Sequence, residues 1–218
     1  MLKKLGLVLF GLFFIQGIFA QDPVFGLWKS IDENTNKVTG IWKIYEKNGK
    51  LFGEMIMTLG HYPDEAAKSC KSSYKDFPKA GNVNKMPLVG TSFIYNLIKK
   101  SEGYWYKGYI INNPYACVGV YCSHKVVAVG FNTLCYDAER RGIKPSARIN
   151  PANGKHYNCK IIFRKTDGKK YKVDTLEMRG EIGLGIGRSQ YWHKTTQDEA
   201  DELIKNNKPE GDYIKATE

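Results

Sequence analysis

The chain has 218 residues, 42% hydrophobic and 25% charged with 22 glycines, a balance too apolar for wholesale disorder and ordinary for a folded protein. Its 33 lysines and arginines exceed its 22 acids, giving a net charge of +11 that falls to +9 without Lys3 and Lys4. Beyond the N-terminal segment no run approaches the ~20 apolar residues of a membrane-spanning helix, which excludes a polytopic helical membrane protein.

The N-terminal segment has the charge-then-apolar order of a secretory signal peptide: Lys3 and Lys4 precede an apolar run from Leu5 to Ala20 that contains no acid. Cleavage is expected after Ala20, although Ile18 is bulkier than the residue usual two places before a cut, and an uncut leader would be an anchor. Residues 1–20 are thus read as a signal peptide and residues 21–218 as one domain, periplasmic or secreted, with no membrane span after cleavage. Export removes nucleic acid as a partner and leaves acidic head groups, glycans or anionic envelope polymers to meet the excess positive charge.

The remainder reads as short strands punctuated by Gly, Asn and Asp, with almost no apolar repeat of helical period. A first strand is expected over Phe25 to Ile31. Ile41 to Leu59 forms an antiparallel hairpin, because Asn48-Gly49 readily adopts the positive φ angles of a tight turn. His61 to Met86 follows as a long polar loop or lid, with one helical turn near Asp64 to Ala67; connections of this length usually have a role. Leu88 to Ile98 and Tyr104 to Ile111 make a second hairpin. Asn113 to Arg148 is an insertion expected to contain at least one strand, around Val126 to Val129. His156 to Phe163 and Tyr171 to Met178 make a third hairpin turning at Thr166 to Gly168, and Ser189 to His193 is the last strand. Gly180 to Gly187 reads as a flexible hairpin end or bulge. Thr196 to Glu199 has the capping-box form, so a short C-terminal helix is expected, ended near Pro209 and Gly211. The fold expected is therefore mainly β, an antiparallel up-and-down barrel of about eight to ten strands, closure removing the edges that an open sheet leaves exposed.

Several pieces in order, Gly26-Leu27-Trp28-Lys29, Ile44 to Gly53, Trp105-Tyr106-Lys107-Gly108, Asn150 to Tyr157, Met178-Arg179-Gly180 and Leu184 to Trp192, resemble the DUF2147 family of exported bacterial proteins. The resemblance implies an envelope-associated, lipocalin-like barrel with no established reaction. The chain departs from the family pattern at Ser73, where a second cysteine often follows the position of Cys70, at Asn150 in place of an aspartate, and in the insertion itself. In lipocalin-like barrels a Gly-x-Trp on the first strand lays the indole across the closed end beneath an arginine of the last strand. Trp28 and Arg188 are thus the expected barrel plug, with Arg179 the second choice, held by a cation–π contact.

Export and five cysteines, Cys70, Cys117, Cys122, Cys135 and Cys159, make disulfides the first expectation, with at least one thiol left over. Cys117 and Cys122 suit a small closed loop, and Cys135 then reaches Cys70 or Cys159. A metal site from Cys117, Cys122, His124 and Cys135 is the sharper alternative, although the spacing matches no standard zinc arrangement. Nucleophilic catalysis needs a base beside Cys70 or a serine, and nothing marks one of His61, His124, His156 and His193 for it. No nucleophile elbow or phosphate loop is present, and no cofactor or catalytic residue is assigned.

Eight strands enclose a space that is either filled by side chains or holds one small ligand. Trp42, Phe52, Met55, Met57, Phe93, Tyr95, Trp105 and Tyr109 alternate along the strands, and the pattern leaves open which fill the interior. Three readings follow: a non-enzymatic barrel binding a small apolar or amphipathic, lipid-like ligand with the 61–86 loop near its mouth; an envelope protein-interaction module with a filled barrel and the 113–148 insertion as contact surface; and an enzyme using Cys70 or a histidine.

Overall fold

The computed structural model describes residues 21–33, 35–111, 156–181 and 186–218. Eight antiparallel strands close in sequence order into an up-and-down barrel: β1 (Gly26–Ile31), β2 (Val38–Lys47), β3 (Lys50–Thr58), β4 (Ser92–Ser101), β5 (Tyr104–Ile111), β6 (His156–Arg164), β7 (Thr175–Glu181) and β8 (Gly187–Lys194). β8 returns to β1 through a short seam, Trp28 opposite Lys194 and Lys29 opposite His193.

The turns follow local chemistry. Asn48 and Gly49 both take positive φ, 53° and 72°, so the β2–β3 hairpin turns in two residues as expected. The β4–β5 hairpin is tighter than the sequence suggested: β4 begins at Ser92 and runs through Lys99 and Lys100, leaving Glu102 and Gly103 to turn. The β6–β7 connection is longer. Asp167 accepts from the backbone N–H groups of Lys169 and Tyr171 at 2.8 and 2.9 Å, which holds Tyr171 in the loop and delays β7 to Thr175.

Cross-strand partners share a face of a sheet, so the register identifies the inward set. Around the barrel run the pairs Trp28–Trp42, Trp42–Met55, Leu51–Leu97, Gly53–Ile94, Ile94–Ile110, Ile110–Tyr157, Trp105–Ile161, Ile161–Met178, Leu176–Trp192 and Trp28–Lys194. All four tryptophans face in, each at most 1% exposed, and Trp42 stacks on Trp192 with ring centroids 5.0 Å apart. The interior is a packed core of aromatic and branched side chains, the filled branch of the fork. Phe52, Met57, Tyr95 and Tyr109 from the alternating set point outward.

One helix, α1 (Gln197–Asn206), covers the outside of β1 to β3, seating Ala200 and Leu203 against Ile41, Met57 and Leu27. Thr196 caps it by accepting from the Glu199 N–H at 3.2 Å, one half of the expected box. The other half is replaced: the Glu199 carboxylate bonds Lys29 on β1 and the Thr195 hydroxyl, so it ties the helix to the sheet.

The segment between β3 and β4 holds no α-helical turn at Asp64 to Ala67. Glu65 and Ala66 form isolated bridges with Lys215 and Pro87, and the helical turn is a 3-10 turn at Val83–Lys85. The segment following α1 pins it, with the Ala66 N–H donating to the Ile214 carbonyl at 2.7 Å and Ala216 N–H to Asp64 at 2.8 Å. Tyr62 stacks on Tyr213 at 4.1 Å. Tyr95 points outward and is nevertheless fully buried, because this excursion covers it: Phe77 meets the Tyr95 ring edge-on at 5.3 Å, and the Tyr95 hydroxyl donates to the Lys75 carbonyl at 3.3 Å.

Candidate functional site

The packing of the excursion against the barrel wall leaves a pocket of ≈ 560 Å³ on the outside of the barrel. Its inner wall is the outer face of the β2–β3 hairpin, where Tyr45 and Phe52 are cross-strand partners with rings stacked at 5.8 Å. Its floor toward β4 is Gly90, Thr91, Ser92 and Asn96, with the Tyr45 and Ser92 hydroxyls 3.2 Å apart. Asn96 sits at a bulge with φ of 61° and donates to the Asp76 carbonyl at 2.7 Å, which anchors the opposite wall of Phe77, Pro78 and Lys79. Lys47, Asn48 and Lys50 at the hairpin tip complete the rim. The lining thus joins three aromatic rings to three lysines and includes no carboxylate. Such a surface offers an apolar platform and a positive potential to the same ligand.

Residues 26–121 match the DUF2147 family model. That family is described as an uncharacterized protein conserved in bacteria. The match covers the DUF2147-like pieces from Gly26 to Gly108, whereas those from Asn150 to Trp192 lie beyond it. Among solved structures, protein HP1028 from the human pathogen Helicobacter pylori, described as belonging to the lipocalin family, is 14% identical, with 84% of this chain and 90% of that one covered and a TM-score of 0.49. No curated protein matches the chain. Among the described residues no helix is long and apolar enough to cross a membrane.

The barrel end carrying the β2–β3, β4–β5 and β6–β7 turns holds the fully buried Trp28, and the cation over its ring is Lys194. Lys194 Nζ lies 4.5 Å from the Trp28 ring centroid and donates to the Phe25 carbonyl, and burial at this site holds the lysine below its usual pKa range. Arg188 is not the plug partner. It pairs with Glu33 at 3.1 Å, and Arg179 bonds Glu181 at 2.8 Å. Arg188 does face inward, but opposite Gly180, six residues before Lys194 and roughly 20 Å away along the strand.

A second device at the same end has no signal in the sequence. The buried Asp22 carboxylate accepts from the N–H groups of Val24 and Gly103 and from Trp105 Nε1, at 3.3, 3.2 and 3.2 Å, and pairs with Lys99 at 2.9 Å. The Trp28 indole N–H donates to the Val24 carbonyl at 2.8 Å. The strap from Asp22 to Phe25 is thereby stitched to both tryptophans.

Among the described residues Cys70 and Cys159 are free, buried thiols. Cys159 faces into the barrel opposite Gly108 and Gly180, while Cys70 packs within the excursion. Cys117, Cys122, Cys135 and His124, and with them the metal alternative, lie outside the described residues, as do the insertion and the leader. Burial pushes the Cys70 thiol up to about 12, only partly offset by its hydrogen bond to Tyr74, and burial also raises Cys159. A thiol so far above neutral pH presents almost no thiolate. Native protein at pH 7.5 is therefore expected to leave Cys70 and Cys159 unlabelled by iodoacetamide, with both labelling in denaturant. Rapid selective alkylation of native Cys70, read by peptide mass mapping, would return it to candidacy as a nucleophile.

The described histidines do not converge. His61 bonds Glu65 at 2.9 Å, His156 meets the rings of Tyr74 and Tyr109, and His193 lies beside Lys29, with burial and then that charge lowering its pKa. Sequence reasoning missed the outer pocket because its walls come from stretches about fifty residues apart. The one local signal was Lys47 and Lys50 flanking the Asn-Gly turn.

Proposed function

We propose that this chain is an exported, non-enzymatic binding protein whose site is the pocket outside the barrel, and that its ligand is a small amphipathic anion. The observation that carries this reading is the ≈ 560 Å³ pocket lined by Tyr45, Phe52 and Phe77 and by Lys47, Lys50 and Lys79. Its volume falls within the range of about 300–1,000 Å³ usual for small-molecule sites. The aromatic wall takes the apolar part of the ligand and the lysines its acidic group, which fits a lipid-like molecule with a short chain and a phosphate or carboxylate head. The packed core supports an outer site over an enclosed one, because a ligand inside would have to displace buried tryptophans.

Dodecyl phosphate, below its micelle concentration, is the probe. Calorimetry is expected to show one site per chain, weakened about tenfold or more by Lys47→Glu with Lys50→Glu, since reversing two rim charges sets like charges against the head group. Both lysines are exposed at a turn, so the fold persists. Unchanged affinity in that variant, or no binding by the parent protein, would overturn the reading.

A further inference from the structure

The cations on the barrel's outer surface divide into two kinds. On β6 to β8 they are neutralised: Lys160 and Arg179 bond Glu181 at 2.7 and 2.8 Å, and Arg164 bonds Glu177 at 2.7 Å. On β2 to β5 the pattern changes. Lys47, Lys50, Lys100 and Lys107 have no carboxylate partner among the described residues, and two of them lean on tyrosines instead. Lys100 Nζ lies 4.8 Å from the Tyr104 ring centroid and 5.9 Å from that of Tyr106, and Lys107 lies 5.1 Å from Tyr106. Glu102, in the adjacent turn, acts on Lys99, which is committed to Asp22.

Register makes these groups one surface. Lys50, on the rim of the pocket, stands opposite Ile98, and Ile98 stands opposite Tyr106. Partners across strands share a face, so this rung carries the pocket's rim across two strand spacings, roughly 10 Å, to Tyr106 and the lysines flanking it. The result is a strip of unneutralised cations and aromatic rings that starts in a concave pocket and continues along the wall.

We propose that this strip binds an anionic polysaccharide, a chain of sugars bearing carboxylate or phosphate groups, with one unit seated in the pocket and the following units crossing Ile98 to Tyr106. The proposal rests on the pocket reading and extends it from a single small ligand to a polymer. Unpaired lysines provide charge complementarity at successive points, and the rings provide flat faces for sugars between them. A bilayer fits this surface less well: a planar membrane cannot enter the pocket, whose Phe52 is only 8% exposed, and interfacial docking calls for a broad protruding apolar face where the strip has Ile98 alone. The signal-peptide reading of the N-terminal segment argues against nucleic acid.

The test titrates fluorescent oligogalacturonates of two, four and eight units into the leader-free protein, with maltooctaose, an eight-nucleotide oligothymidylate and phosphatidylglycerol vesicles as comparators. Affinity is expected to rise about tenfold or more from two units to eight and to fall as salt is added, because each added contact is electrostatic. Lys100→Ala with Lys107→Asn is expected to weaken the octamer about tenfold while leaving dodecyl phosphate binding unchanged; asparagine suits the positive φ of 56° at position 107. Lys160→Ala, which removes a neutralised cation, is expected to leave both unchanged, and thermal melts confirm that each variant is folded. Octamer binding without length dependence, or unaffected by the Lys100 and Lys107 changes, overturns the strip. If dodecyl phosphate then still binds through Lys47 and Lys50, the pocket reading stands alone, and if neither probe binds, both fall. Preference for oligothymidylate, or binding to vesicles but not to the octamer, overturns the choice of polysaccharide.

Discussion

Trp28→Ala is expected to destabilise the protein by about 3–5 kcal/mol, the cost typical of removing a fully buried tryptophan. The side chain is 0% exposed, its indole N–H donates to the Val24 carbonyl, Phe163 meets its ring edge-on at 6.3 Å, and Lys194 lies over its face. Truncation therefore leaves a cavity at the closed end, an unpaired carbonyl in the strap and Lys194 without its aromatic seat. Urea denaturation reads the loss as a lower midpoint at unchanged slope. A change of less than about 1 kcal/mol would show that the closed end relaxes around the gap and that Trp28 is no plug.

Asp22→Ala carries the second large effect, about 3 kcal/mol, through a different mechanism. The carboxylate serves the N–H groups of Val24 and Gly103 and the indole of Trp105, and the residue is 6% exposed. Removing it strands buried donors where water does not replace the acceptor. Because Asp22 and Trp28 both hold Val24, their losses should not add: the double variant is expected to cost less than the two singles together, as for residues sharing one network. Full additivity in denaturation measurements, or a cost below about 0.5 kcal/mol for Asp22→Ala alone, would show that the strap is peripheral to the closed end.

Both effects concentrate at a place the sequence signalled only in part. The Gly26-x-Trp28 piece pairs Trp28 with Arg188 only through a resemblance, whereas the structure sets Lys194 over the Trp28 ring. Arg188 and Lys194 are six residues apart on one strand and share the same alternation, so side-chain period cannot choose between them. The β1–β8 register chooses, and it places Lys194 opposite Trp28. Asp22 was invisible for a related reason. A carboxylate near a chain's start is unremarkable until Gly103 and Trp105 are brought to it from about eighty residues away.

The pocket shows the same division. Asn48-Gly49 dictated its own turn, since few other dipeptides take two consecutive positive φ angles at low cost, and the alternation of Tyr45 and Phe52 with Ile44 and Leu51 put the two rings on one face of the hairpin. Which face looked outward was not legible, because both sets are bulky and apolar. The long β3–β4 segment explains why: it covers outward Tyr95, so hydrophobicity no longer marks the inside.

Local physics in the sequence was enough to determine the antiparallel strands, the Asn48-Gly49 turn and the Thr196 half of the helix cap, since these depend on backbone preference and short-range alternation. Three things were decided only by the tertiary structure: that the barrel is packed with its four tryptophans, that Lys194 and Asp22 close one end, and that an aromatic, cationic pocket lies on the outer wall. Each depends on which residues distant in sequence become neighbours, and that is set by strand register and by how the excursion packs, neither of which a local pattern encodes.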